Sequence, residues 1–228
     1  MNKIFHKILD WSEVWALLIP LIFILLKKYI PAYLKPIRLY LWLALLFNTG
    51  ALLIWYRNVL NLPGIPIYLQ SNNFLYNAHS IARLLLFSFF FILLNQRFMH
   101  RVKLVLPFLF FVLVIINFVF FEDFFDFNLL SSRLLATEAA MLLFYCLQYY
   151  IFLLIDDKGP TLKNQPGFWV VTGLSIYVAA NFFIFLFYNY LLKQNLLVFA
   201  VNIWDVHNVV FIILCICIAI NFSKKYEY

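Results

Sequence analysis

Residues 72–94 read NNFLYNAHSIARLLLFSFFFILL. From Leu84 onward the stretch is almost wholly Leu, Phe and Ile, the composition of a segment that belongs in hydrocarbon. Its first half brings Asn77, His79, Ser80 and Arg83 into the same run, and His79 and Arg83, four residues apart, share a helix face. An arginine at the centre of a bilayer costs at least about 2.5 kcal/mol, so such a residue faces protein or a water-filled cavity. The stretch therefore predicts a membrane-crossing helix that turns polar groups towards neighbouring helices near one end.

The rest of the chain has the same character. Of its 228 residues 66% are hydrophobic and 21% aromatic, and the mean hydropathy is +0.92. A soluble domain sits near roughly 45–50% apolar, so the solvent implied here is lipid. A hydrocarbon core about 30 Å thick needs roughly 20 apolar residues per helical crossing. Seven stretches meet that need: Glu13–Ile30, Pro36–Trp55, Phe74–Leu94, Lys103–Phe121, Leu134–Ile155, Phe168–Leu191 and Leu197–Phe222. The expected fold is all-α, a single bundle of seven transmembrane helices over residues 1–228, with no separate soluble domain. A β-barrel is excluded, since its signature is alternating segments of about 10 residues and not unbroken apolar runs. Before the first crossing, MNKIFHKILDW places Ile4, Phe5, Ile8 and Trp11 at helical spacing beside Lys3 and Lys7. Residues 1–12 thus read as an amphipathic segment lying on the membrane surface. No small-residue cleavage site follows, so the first crossing is expected to be retained.

Seven crossings sort the loops and termini into two sets. One holds Lys27, Lys28, Lys35, Arg38, Arg97 and Arg101, with Lys103, Lys158, Lys163, Lys224 and Lys225. The other holds only Lys3, Lys7, Arg57, Arg133 and Lys193, with Glu122, Asp123 and Asp126 in one of its loops. Eleven basic residues against five make the first set cytoplasmic, with the amino terminus outside and the carboxyl terminus inside. The expected location is the inner membrane of a cell, multi-pass. The net charge of +7 is absorbed by this asymmetry and forms no nucleic-acid patch. Cys146, Cys215 and Cys217 all fall inside crossings, and the last two point to different helix faces, so they read as small apolar core residues and not as a metal pair.

Depth brings the polar residues together. At about 1.5 Å per residue, Asn77, His79, Ser80 and Arg83 lie about 4 to 14 Å below the outer end of the third crossing. Thr137 and Glu138 lie about 5 to 6 Å down the fifth, and Asn202, Asp205, His207 and Asn208 about 8 to 16 Å down the seventh. These three crossings all enter from outside, and their inner halves are nearly free of polar groups. Asn77, His79, Arg83, Glu138, Asp205, His207 and Asn208 are therefore the candidate ligand-binding residues, with Glu138 and Asp205 available to balance Arg83. Asn48 and Asn181, near the midplane, suit hydrogen bonds that hold helices together.

Several chemistries lack their residues. The seventh crossing has no lysine for a retinal Schiff base. Only His79 and His207 lie at a depth useful for zinc, since His6 and His100 sit near membrane surfaces, and no spacing demands a metal. Ser80 and Ser175 carry no nucleophile motif. There is no phosphate-cradling glycine loop, no GxxxG face and no internal repeat. No metal and no cofactor are expected.

NNFLYNAH (72–79), FWVVTGLSIY (168–177) and WDVHN (204–208) resemble an uncharacterised family of bacterial seven-helix membrane proteins. The matching positions are His79, Phe168, Trp169, Gly173, Tyr177, Trp204, His207 and Asn208. The resemblance implies an inner-membrane protein, with members sometimes encoded beside sensor kinases, and carries no assigned activity. The expected function is that of a sensory protein binding a small ligand or lipid headgroup in an outward-facing polar pocket. Its expected partners are the lipid bilayer and a sensor kinase or another membrane signalling protein. The alternatives are a membrane-embedded enzyme acting on a lipid, or a small transporter.

Overall fold

A computed structural model describes residues 8–59, 71–126, 129–155 and 162–224. Within them the chain is all-helical: α1 (Ser12–Leu26), α2 (Lys35–Val59), α3 (Asn73–Leu93), α4 (His100–Phe120), α5 (Ser132–Ile155), α6 (Phe168–Lys193) and α7 (Leu197–Ser223). Each of the seven expected stretches is helical. Among the described residues, α2 to α7 are long and apolar enough to cross a membrane, which makes this a multi-pass membrane protein by composition and length. The 15 residues of α1 are equally apolar but reach only about 22 Å. It stops four residues before the expected Ile30 because Lys27 is already extended and Pro31 disfavours helical geometry at the residue before it. The surface segment expected over 1–12 lies outside the described residues as far as position 7.

Turn residues close the helices where the chain reverses. Asn95 and Asn195, with φ of 52° and 57°, lie just past α3 and α6 in the left-handed conformation that asparagine tolerates at helix ends. Gly167 (φ 76°) caps the start of α6, and a Cβ there would meet the Phe90 ring at 2.8 Å. Pro36 sits in the first turn of α2, where a missing N–H costs nothing.

Six helices form a closed ring in the order α1–α2–α3–α5–α6–α7, with α7 packed back on α1. α4 stands outside it, against α3 and α5. Its outward face exposes Phe108, Phe111, Ile115, Val119 and Phe120, a continuous apolar surface that water would not tolerate. The core inside the ring is built from aromatic rings and small residues. Phe91 stacks on Tyr145 with centroids 5.0 Å apart, and Gly173 lets α6 approach α7 so closely that a Cβ would lie 2.6 Å from that of Cys217. Cys146, Cys215 and Cys217 are buried free thiols.

The loops gather at two ends. At one end, Asn73 and Asn77 of α3 donate to the carbonyls of Asp126 (3.1 Å) and Phe124 (2.9 Å), Asn189 of α6 donates to Leu130 (2.8 Å), and Trp11 meets Tyr56 edge-on. At the other, Lys27 donates to the Lys224 carbonyl (2.5 Å), Lys224 to that of Lys163, and Tyr145 to that of Lys103 (2.7 Å).

Candidate functional site

Each of the six ring helices sends a polar side chain to the centre. Arg83 of α3 makes a two-pronged pair with Glu138 of α5, Nε to Oε1 at 2.5 Å and Nη2 to Oε2 at 2.6 Å. Its Nη1 donates to the Tyr177 hydroxyl on α6 (2.7 Å), and its guanidinium lies 5.1 Å from the Tyr177 ring centroid. Ser80 completes the shell by donating to Glu138 Oε2 (2.6 Å). Arg83 and Glu138 are 5% and 1% exposed, so the charges are compensated inside the protein, as a hydrocarbon setting requires.

A second branch joins α1, α2, α3, α6 and α7. Tyr76 of α3 donates to Glu13 Oε2 (3.1 Å), and Asn48 of α2 donates to the Glu13 carbonyl (2.8 Å). Nε2 of His207 lies 3.4 Å from Glu13 Oε1, and its Nδ1 lies 2.5 Å from Asn181 Oδ1. Asn181 gives its own N–H to the Tyr177 carbonyl (2.8 Å), so its oxygen faces the imidazole and Nδ1 carries the hydrogen. His79 takes no part in this branch. It lies between the Tyr40 and Phe47 rings (5.8 Å to each), and its Nε2 has no hydrogen-bond partner.

The two branches enclose a cavity of about 20 Å³, lined by Glu13, Asn48, Tyr76, His79, Arg83 and His207 among others. That is room for about one water molecule. Two larger clefts open from the same end of the ring. One, of about 250 Å³, runs past Trp11, Trp55 and Tyr56 to Glu13; the other, of about 360 Å³, runs past Tyr188 and Asp205. Tyr76 and Trp204 line all three spaces. They meet edge-on with centroids 5.9 Å apart, and Trp204 stacks on His207 at 4.9 Å. The next layer towards the other end is apolar, with Leu84, Phe87, Leu174 and Leu214 fully buried.

Of the seven candidate residues, His79, Arg83 and His207 line the small cavity, and Glu138 holds Arg83 from behind. The other three lie elsewhere. Asn77 ties α3 to the α4–α5 loop, and Asp205 lines the 360 Å³ cleft. Asn208 is buried at 1% with neither amide atom hydrogen-bonded among the described residues. The reason is angular: residues 205, 207 and 208 of one helix project about 100° apart per residue, so equal depth does not mean a common face. Glu13 and Tyr76 were not legible as site residues, and Tyr177 and Trp204 stood out only as positions of the family resemblance. Glu13 stands at the boundary of the first crossing, where an acidic residue reads as a helix start, and Tyr76 is one of 14 Tyr. Three guanidinium N–H groups of Arg83 are committed to Glu138 and Tyr177. No protein-family model, curated protein or solved structure matches the chain.

Proposed function

We propose that the protein is a seven-helix membrane sensor, with its amino terminus outside and its carboxyl terminus in the cytoplasm. It takes a small ligand or lipid headgroup in the clefts at the outer end of the helix ring. One observation carries this reading: Tyr76 and Trp204 line the open clefts and the buried cavity alike, and touch Glu13 and His207. A ligand that shifts either ring disturbs hydrogen bonds reaching α1, α3, α6 and α7. Occupancy at the mouth is thereby felt by most of the ring, and the basic loops at the opposite end offer the surface to a partner protein.

A membrane enzyme acting on a lipid is the second reading, supported by the carboxylate–imidazole–amide chain of Glu13, His207 and Asn181. Both ring nitrogens of His207 are turned to protein groups, which suits positioning better than proton exchange with a substrate. Among the described residues no three His, Cys, Asp or Glu gather as metal ligands. The apolar layer below the cavity gives little support to a transport path.

A thermal-stability panel tests the sensor reading, with choline, ethanolamine, glycerol phosphate and acetate added to the purified protein. At least one should raise the unfolding temperature by several degrees, as a ligand far above its Kd stabilises by about 2.7 kcal/mol or more. Trp204→Leu should abolish the shift. A panel without any shift contradicts a ligand site at the mouth.

A further inference from the structure

We propose that the ligand of the mouth is an organic cation, an ammonium group held between aromatic rings and carboxylates. The proposal rests on reading the two clefts as the ligand site and names the chemistry they take. Both clefts are lined by acids and aromatic residues. Asp10 lines both, Glu13 lines one and Asp205 the other. The aromatic walls are Trp11, Trp55, Tyr56, Tyr76, Tyr188 and Trp204. None of the described residues lining either cleft is Lys or Arg, in a chain whose net charge is +7.

The inner end of the clefts points the same way. Arg83 and Glu138 neutralise each other, so Glu13 is the carboxylate that the central site presents towards the mouth. Its Oε1 is buried without a hydrogen-bond donor and faces His207 Nε2 at 3.4 Å. His79, 6% exposed, lines the adjoining cavity with Nε2 unpartnered, an acceptor that a primary ammonium could reach and a quaternary one could not use. A positive group resting on Trp204 and Tyr76 would be attracted by the ring faces and by Glu13 together. The clefts, about 250 and 360 Å³, are of the size that takes a small molecule or a headgroup. A free quaternary or primary amine and the headgroup of a zwitterionic lipid share this chemistry.

Calorimetric titration of the full-length protein in maltoside detergent tests the assignment. The probes are tetramethylammonium chloride, choline chloride and dihexanoylphosphatidylcholine below its micellar concentration, with sodium acetate and sodium phosphate at equal ionic strength as the opposite class. Saturable binding of the ammonium probes, weakened about tenfold or more by Glu13→Gln, supports the proposal. Binding of the lipid at least about tenfold tighter than choline assigns the source as a headgroup, and equal binding assigns a free amine. Trp55→Leu and Asp205→Asn, on the cleft walls, carry the same expectation should Glu13→Gln fail to fold. Unchanged affinity in both wall variants overturns the proposal. Saturation by acetate or phosphate and not by the cations overturns the cation class while leaving the ligand site standing. Heat from none of the probes removes both.

Discussion

Arg83 is the residue on which the centre of the molecule turns. Its guanidinium meets Glu138 through two nitrogens and Tyr177 through a third, and all three side chains are buried. Removing one member of such a pair strands a charge, at a cost of about 3–5 kcal/mol, whereas replacing both with apolar residues is often neutral. Arg83→Met and Glu138→Leu should each lower the resistance of the purified protein to a denaturing detergent by that order, and the double variant by much less. Additive losses in that cycle would mean that the two do not interact. Tyr177→Phe should cost less, about 1–3 kcal/mol, because one donor of Arg83 loses its acceptor while the ion pair survives. The partner of Arg83 was half legible in the sequence. Depth placed Glu138 and Asp205 at similar levels, but only the three-dimensional course of α5 and α7 decides between them. Glu13 was not legible at all, since its role depends on α7 folding back beside α1.

Elements were easier to read than contacts, because crossing a bilayer imposes a length and a composition that single residues cannot disguise. Pro31, Asn95, Gly167 and Asn195 then set the ends of the helices. What composition does not encode is which helix leaves the ring. α4 differs from its neighbours in being the most apolar and the least buried. A uniformly apolar helix carries no stripe to say which face meets protein. The α6–α7 contact is where an element is most sensitive. A Cβ at Gly173 would lie 2.6 Å from Cys217 Cβ and 3.2 Å from Leu214 Cα, one turn from Tyr177. Gly173→Ala should therefore separate the two helices and destabilise by about 1–3 kcal/mol. Gly50→Ala is the control. Its nearest neighbour is the flexible end of Leu75 at 3.3 Å, and a helix-interior alanine is favoured by about 1 kcal/mol over glycine. Equal destabilisation by the two substitutions, measured by the same detergent titration, would show that the α6–α7 approach is not close.

At the scale of the whole molecule, charge divides the two ends of the ring. The end that gathers Lys27, Lys163 and Lys224 is basic, and the opposite end carries Asp10, Glu122, Asp123 and Asp126 with the open clefts. The proposed orientation, which follows the positive-inside rule, leaves the basic end in the cytoplasm. If α1 crosses with the other six helices, the count is odd and the termini lie on opposite sides. At about 22 Å, α1 alone falls short of a core of about 30 Å, so residues before Ser12 or local thinning of the bilayer must make up the difference. Reporter fusions decide this. A reporter at Tyr228 should be active in the cytoplasm, and one in the Glu122–Asp126 loop only outside. A reporter ahead of Asp10 should behave like the loop. If it behaves like Tyr228 instead, α1 lies within the ring without crossing, and Glu13 enters from the wrong side for a mouth open to the exterior. If Tyr228 and the loop report the same side, the alternation of all seven helices fails, and with it the outward-facing site.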